Sequence, residues 1–230
     1  VLINFIIKGL SITNLDALFS ATFNSLVLSL VAAALVMGIA IFMVLATTYQ
    51  RHPFLKGLST VAVLGYAFPG AILAIGVVSF AGSVDALGSK IGASDGILIG
   101  GIGLLLLAYV VRFQAVGHGA ITAGVNRLSP NIMSASFVLG RGFSNSMVTL
   151  GPPLLRRSIL AGGILVFVDV MKELPMTLLL RPFNYETLST YVYQFAKDEL
   201  LEESALAAVT IIIAGLGPVI LINASERGKR

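Results

Sequence analysis

The sequence contains no cysteine and no tryptophan, only two histidines, and few charged residues. Without cysteine there is no disulfide framework, no thiolate metal site and no cysteine nucleophile, and two histidines offer few imidazole ligands. Charged side chains make up 11% of the 230 residues, against about 25% in soluble globular chains, while hydrophobic side chains reach 57%. This balance disfavours a water-soluble protein.

The net charge of +4 does not indicate a nucleic-acid-binding protein, because the basic residues are scattered among apolar runs without interleaved aromatic side chains. In a membrane protein the positions of basic residues matter more than their sum. The chain opens at Val1 and shows no signal-peptide pattern near its start. We therefore expect a fragment, or one half of something larger.

Five apolar stretches approach the length of about 20 residues that a helix needs to cross a hydrocarbon core about 30 Å thick. They are 23–46, 57–81, 96–111, 158–180 and 204–223. The third is the weakest, because only 16 residues precede Arg112. In the second, Phe68-Pro69-Gly70 predicts a kink. The expected fold is an all-α polytopic membrane protein with a core of five transmembrane helices.

The loops between these stretches alternate in charge, which predicts their orientation. Segments 47–56, 112–157 and 224–230 carry ten basic residues and one acid, whereas 1–22, 82–95 and 181–203 carry four basic residues and eight acids. By the positive-inside rule, the first set is cytoplasmic. This places the C-terminus and the long 112–157 loop inside the cell.

The 112–157 loop is too long for a simple connection, and its composition does not indicate disorder. Ser129-Pro130 is typical of a helix start, and Gly140 of a helix end. Between them the predicted apolar side consists of Ile132, Ala135, Phe137 and Leu139. A second short stretch, 143–150, is closed by Gly151-Pro152-Pro153. The pattern predicts two short helices joined by a glycine hinge.

This loop resembles that of permease subunits of binding-protein-dependent ABC importers, which carry Glu-Ala-Ala, a glycine four residues on, and an Ile-x-Leu-Pro ending. Here Ser134-Ala135-Ser136 takes the place of Glu-Ala-Ala, and Gly140 takes the place of the glycine. Leu150-Gly151-Pro152-Pro153 takes the place of the Ile-x-Leu-Pro ending. The glycine and the final proline match in register. The acidic first residue is replaced by Ser134, so the contact that a glutamate makes in the family does not carry over.

A second stretch is similar to the C-terminal half of the iron(III) permeases within that family. It runs over 172–183, KELPMTLLLRPF, and continues with Glu186-Thr187-Leu188 and Asp198-Glu199. Asn24-Ser25-Leu26 at the start of the first span also fits. The resemblance covers about 24–222. Because one polypeptide of that family commonly holds two such halves, this chain is expected to be the second half alone.

The resemblance implies a type I importer permease. Residues 1–22 would form an outer segment, 23–223 the permease domain, and 224–230 a basic cytoplasmic tail. The loop would dock on cytoplasmic ATP-binding subunits, and the outer face would receive a substrate-binding protein. The other implied partners are a second permease half or a second copy, and the lipid of the inner membrane. No cofactor is implied, and iron(III) or chelated iron is the implied cargo.

Three charged residues interrupt the fourth predicted span. Asp169 lies 12 residues beyond Arg157, or about 18 Å along a helix, close to the middle of a bilayer. Lys172 and Glu173 follow at helical spacings that place all three on one side. In one interpretation Asp169 and Lys172 form an ion pair, and Pro175 ends or kinks the helix. In the other, the three residues line or gate a translocation path.

Enzymatic functions find little support. The sequence has no Gly-x-x-x-x-Gly-Lys-Ser/Thr motif, so ATP hydrolysis would fall to a partner chain. Intramembrane proteolysis is disfavoured because His52 and His118 lie in predicted loops. Two alternatives stay open. One is a proton- or ion-coupled secondary transporter that uses Asp169, Lys172 and Glu173 as a relay. The other is a structural membrane subunit without a pathway.

Overall fold

The computed structural model describes residues 9, 13–50, 53–90, 100–129 and 131–227. Almost all of them lie in helices, which confirms the all-α class, and no strand occurs in these ranges. The helices are α1 (Leu15–Gln50), α2 (Pro53–Ala62), α3 (Gly70–Lys90), α4 (Ile102–Val125), α5 (Asn131–Val138), α6 (Phe143–Met171), α7 (Pro175–Leu180), α8 (Leu188–Lys197) and α9 (Leu201–Arg227), with a 3-10 turn at Leu64–Ala67.

Three of the described helices are long and apolar enough to cross a membrane, namely Leu15–Tyr49, Gly70–Ser89 and Ile102–Val125. They overlap the first three predicted spans. The predicted count of five is not confirmed. In α6, residues 158–171 follow Arg156 and Arg157 before the helix ends. They extend over about 21 Å, which is less than the hydrocarbon core thickness of about 30 Å.

The second predicted span, 57–81, is not one helix. It consists of α2, the 3-10 turn and α3, with Phe68 in an extended conformation between them. Pro69 explains the break, because its ring disfavours a helical conformation at the preceding residue and it has no N–H to donate. The predicted kink is therefore a full interruption, after which α3 begins at Gly70.

The third span extends further than predicted. Helix α4 continues through Arg112 as far as Val125, so the prediction of a loop starting at residue 112 was wrong. The Arg112 guanidinium lies over the Phe113 ring, with its carbon 5.8 Å from the ring centroid, a cation–π contact that favours the charge within this helix. The prediction that His118 lies in a loop was also wrong, since it lies in α4. His52 falls outside the described residues.

Helix α6 covers both the predicted short helix at 143–150 and the start of the fourth predicted span, 158–180, and the predicted ends of both were wrong. The helix begins at Phe143 and continues through Pro152 and Pro153, which were expected to close a short helix. Prolines are tolerated inside membrane helices when neighbouring groups compensate for the lost hydrogen bonds. The same helix ends at Met171, not at 180. In a continuous helix the ring of Pro175 would clash with the carbonyl four residues earlier, that of Met171.

The chain divides into two compact units. One comprises 32–68 and 109–166, and its core is formed by α1, α4 and α6 through Met37, Ala40, Val44, Leu45, Ile121, Val125 and Leu155. The other comprises 1–31, 69–108 and 167–230, and its core is formed by α1, α8 and α9 through Ala21, Leu188, Tyr191 and Ala207.

Close helix packing within the first of these units depends on small residues. A Cβ atom added to Gly124 in α4 would lie 2.4 Å from Ser158 Oγ and 2.8 Å from Ser158 Cβ in α6. A Cβ atom at Gly162 in α6 would lie 2.6 Å from Ala120 Cβ in α4. The two helices therefore approach each other at positions where only glycine fits.

We predict that Gly124→Ala lowers stability, whereas Gly119→Ala in the same helix does not. The first substitution overpacks the contact with Ser158, at an expected cost of about 1–3 kcal/mol. A Cβ atom at Gly119 meets nothing within 4 Å, so alanine there brings only its higher helix propensity. Thermal unfolding in detergent measures both variants. Equal unfolding midpoints would contradict the packing described here.

Candidate functional site

Both ends of α5 are closed by hydrogen bonds. Ser129 Oγ accepts a hydrogen bond from the backbone N–H of Asn131 at 3.4 Å, where α5 begins. At the other end Gly140 has φ +79°. Its N–H donates to the Phe137 carbonyl at 2.9 Å, and the next N–H, of Arg141, donates to the Ser136 carbonyl at 3.1 Å. This Schellman pattern confirms the predicted helix end at Gly140.

Two buried hydroxyl groups join α5 to the start of α6. Ser136 Oγ and Ser146 Oγ lie 2.7 Å apart. Ser146 donates its hydroxyl hydrogen to the Gly142 carbonyl at 3.0 Å, so Ser136 is the donor between the two serines. In addition, Arg141 Nη1 donates to Thr149 Oγ1 at 3.2 Å. The segment is thus held by polar contacts in a folded form.

Most of the predicted apolar side of α5 does not pack into the protein. Ile132 is half-buried, whereas Ala135, Phe137 and Leu139 are exposed. The neighbouring Val138 is 87% exposed. Among the described side chains of this helix, Ser136 is the buried one. The side chain of Ser134 lies outside the described residues. Residues 150–153, which were expected to end the loop, lie within α6. Leu150 is half-buried there and Pro153 is exposed.

The serine pair generates a prediction. Ser136→Ala leaves the Ser146 oxygen without its buried donor and is expected to cost about 1–3 kcal/mol. Replacing both serines by alanine is expected to cost less than the sum of the two single changes, since no buried hydroxyl remains unpaired. Hydrogen exchange of the α5 amides measures the effect. Strict additivity of the two changes would show that the serines do not interact.

Near the end of α6, Asp169 and Lys172 form the predicted ion pair, with Oδ1 and Nζ 2.8 Å apart. The carboxylate is mostly buried and the ammonium group is largely exposed. The prediction that Glu173 extends this helical face was wrong, because α6 ends two residues earlier, at Met171. The helix ends shortly before Pro175, as expected, and Pro175 occupies the first turn of α7.

Glu173 is buried between two helices. Its Oε1 atom accepts a hydrogen bond from the backbone N–H of Met176 at 3.3 Å, near the start of α7. Its carbonyl oxygen accepts from Thr177 Oγ1 at 2.6 Å and from Ser189 Oγ at 2.9 Å. The carboxylate and the carbonyl of one residue thereby connect the end of α6 with α7 and α8.

A second ion pair, not anticipated from the sequence, lies beyond α7. Arg181 and Glu186 form a salt bridge, and Thr190 Oγ1 donates to Glu186 Oε2 at 2.7 Å. Arg181 Nη1 also donates to the Tyr185 carbonyl at 3.3 Å. These contacts fix the connection between α7 and α8, where Asn184 adopts a positive φ of 58°.

This connection is bonded to the N-terminal third of α1, at Asn24 and Ser25. Asn24 Nδ2 donates to the Glu186 carbonyl at 3.0 Å, and Ser25 Oγ accepts from the Leu188 N–H at 2.7 Å. Tyr185 donates its hydroxyl to the Asn24 carbonyl at 3.2 Å. Burial raises the pKa of Tyr185, so the hydroxyl keeps its proton and remains a donor at neutral pH.

One sequence signal could have located this connection. Thr187 and Thr190 form a capping box at the start of α8, in which each side chain bonds to the backbone of the other. The spacing of two hydroxyl residues three apart, after Glu186, is typical of a helix start. The bonds to Asn24 and Ser25 join residues more than 160 positions apart, and no local pattern predicts them.

No family model matches the chain. The Fe(3+)-transport system permease protein FbpB 2 of Haemophilus influenzae is 27% identical over 225 residues, which cover 96% of the chain and 42% of that protein. The probable ABC transporter permease protein y4fN of Sinorhizobium fredii is 24% identical over 208 residues, 90% of the chain and 36% of that protein. The chain spans about two-fifths of the length of these relatives.

Two solved structures share the fold. The crystal structure of a bacterial alginate ABC transporter in complex with an alginate pentasaccharide-bound periplasmic protein matches with a TM-score of 0.74 and 16% identity, covering 91% of the chain and 78% of that chain. A bacterial ABC transporter that imports the acidic polysaccharide alginate matches with a TM-score of 0.73 and 18% identity. The resemblance to ABC importer permeases is thus confirmed, and the fold is that of their membrane subunits.

Proposed function

We propose that the chain is a membrane-spanning permease part of an ATP-driven importer. The observation that carries the proposal is the fold, which matches the membrane subunits of ABC transporters over 91% of the chain. The similarity to two permease proteins extends over nearly the same residues. Since the sequence has no phosphate-binding Gly-x-x-x-x-Gly-Lys-Ser/Thr motif, ATP is hydrolysed by a separate subunit.

The segment from Ser129 to Pro153 is the proposed contact with that subunit. Its hydroxyl pair and Schellman turn give it the rigidity that transmission of a push requires, because a flexible loop would absorb the movement. Its exposed apolar side chains, Phe137, Val138 and Leu139, suit a groove on another protein. Arg141, Arg156 and Arg157 flank this surface and support its assignment to the cytoplasmic side.

The remaining partners follow from this assignment. With the loop and the basic 224–230 tail inside the cell, residues 1–22 and 181–203 face outward, where a binding protein would dock. The chain also requires a second permease half or a second copy to enclose a path within the inner membrane. The proposed permease domain is 23–223. The charge alternation of the loops and the periplasmic protein bound in one structural neighbour support this arrangement.

The proposed cargo is iron(III) or a chelate of it, supported by the similarity to a Fe(3+)-transport permease. Among the described residues, no three His, Asp or Glu side chains lie close enough to hold a metal ion. A binding protein would therefore supply most of the selectivity for the cargo.

The proposed gate is Asp169, Lys172 and Glu173, followed by Pro175. The Asp169–Lys172 pair is internally neutralised, whereas Glu173 is a buried acid at the junction of α6, α7 and α8. A change in its contacts would move three helix ends together. The similarity to ABC permeases favours this role over a proton relay in a secondary transporter.

The proposal predicts ATP-dependent uptake that is sensitive to Glu173. The chain is reconstituted in vesicles with the ATPase and binding protein that co-purify from the native membrane, and uptake of labelled iron(III) is measured. Glu173→Gln keeps an oxygen acceptor for the Met176 N–H but removes the charge. We expect uptake to fall about tenfold, the factor that corresponds to 1.4 kcal/mol, while membrane insertion and ATPase binding persist.

Glu226→Gln is the matched control, because it makes the same chemical change in the last turn of α9, outside the proposed gate, the Ser129–Pro153 segment and the outer surface. It is expected to leave uptake unchanged. Normal uptake by Glu173→Gln would remove the gate role while leaving the importer intact. Uptake that needs a proton gradient and no ATP would instead overturn the importer and support a secondary transporter.

A further inference from the structure

A pocket lies in the unit formed by 32–68 and 109–166. It has a volume of about 550 Å³, within the range of small-ligand sites. In a chain that is 57% hydrophobic, most of the side chains around it are polar. They include Thr47, Lys56, Ser59, His118, Thr122 and Asn126.

The pocket lies at one end of two candidate spans. Thr47 is in the last turn of Leu15–Tyr49, and Thr122 and Asn126 are at the end of Ile102–Val125. In a membrane this level corresponds to the lipid headgroups, where the hydrocarbon core gives way to polar groups. A ligand in the pocket would therefore be at the depth of a phospholipid headgroup.

Helix α2 forms the outer wall of the pocket and is amphipathic. Its Ser59 faces inward and is buried, whereas Phe54, Leu58 and Val61 are 70%, 50% and 64% exposed. A short helix with this pattern, directly after a membrane span, is typical of a segment lying in the membrane interface. Its apolar side chains would contact acyl chains next to whatever headgroup the pocket holds.

The charges and hydrogen bonds of the pocket indicate the chemistry of its ligand. Lys56 is the charged side chain in its wall, and no carboxylate lines the pocket among the described residues. Thr47 and Thr60 donate their hydroxyls to backbone carbonyls, at 2.9 and 3.0 Å, so toward the pocket their oxygens act as acceptors. The pocket thus offers a cation for an anion and acceptors for hydroxyl donors.

His118 positions this wall. Its Nε2 atom lies 2.8 Å from Ser59 Oγ in α2, and its Nδ1 atom lies 3.4 Å from Thr122 Oγ1 one turn further along α4. Both ring nitrogens are thereby engaged within the protein. The contact with Ser59 holds α2, and with it Lys56, against α4.

We propose that this pocket binds the phosphoglycerol headgroup of an anionic phospholipid. Its phosphate pairs with Lys56, and its glycerol hydroxyls donate to the threonine oxygens. A basic pocket between membrane helices is a known setting for anionic headgroups. This site is separate from the proposed gate and does not depend on the transport activity.

The test is a lipid titration of the full chain, purified in detergent with any subunits that stay bound and followed by native mass spectrometry. We expect dioleoylphosphatidylglycerol to bind more tightly than dioleoylphosphatidylcholine. Lys56→Ala should weaken phosphatidylglycerol binding about fivefold, the effect of one lysine near the membrane surface. Lys56→Arg should preserve binding. Lys197→Ala, which removes an exposed lysine in α8, should also leave it unchanged.

Two soluble probes distinguish the source of the phosphate. Glycerol 1-phosphate and inorganic phosphate are expected to compete only at much higher concentration, because they lack the acyl chains that contact α2. If either binds as tightly as the lipid, the pocket is a site for a soluble anion and the lipid assignment fails. Equal affinity for the two lipids, or full phosphatidylglycerol binding by Lys56→Ala, would likewise overturn it.

Discussion

The structure depends on which groups form hydrogen bonds with the backbone where proline interrupts its helices. Within a bilayer no water bonds to a carbonyl freed by a helix end, so protein groups must do so. Between α6 and α7 the Glu173 carbonyl accepts two side-chain hydroxyls, from Thr177 and Ser189. The interruption before Pro175 is therefore stabilised, and it brings the ends of three helices to one residue.

The same constraint gives the buried acid its position. Had α6 continued to residue 180, Glu173 would lie one turn beyond Asp169 on the same side of the helix. The break instead directs its carboxyl group to the first turn of α7, where Oε1 accepts a hydrogen bond from the Met176 N–H. The Asp169–Lys172 pair remains at the end of α6 as a neutral unit. A single residue thus combines the roles of helix cap and candidate gate.

Much of the fold follows from local patterns in the sequence. Apolar length located α1, α3 and α4, and the Ser129 and Gly140 signals located both ends of α5. Proline was harder to interpret. Pro69 and Pro175 interrupt helices, whereas Pro152 and Pro153 lie inside α6. Just after them, Leu155 of the same helix packs into the core. The outcome depends on tertiary packing, which a single sequence does not show.

The candidate site was predictable only in part. The ion pair of Asp169 and Lys172 followed from their spacing, and the loop was placed by its serine, glycine and charge pattern. The partners of Glu173, the hydroxyl bond between Ser136 and Ser146, and the link from Asn24 to Glu186 did not follow. Each of these joins separate helices or distant parts of the chain, so it depends on how the helices pack and not on local spacing.

The central claim is that the folded segment between α4 and α6 faces the cytoplasm against an ATPase. Because the chain has no cysteine, Leu139→Cys gives it a single thiol to label. We expect a membrane-impermeant maleimide to label Leu139→Cys only from the cytoplasmic side. Labelling is expected to fall when the ATPase is bound, because the ATPase covers this position. Labelling from the outer side of intact cells would contradict the account.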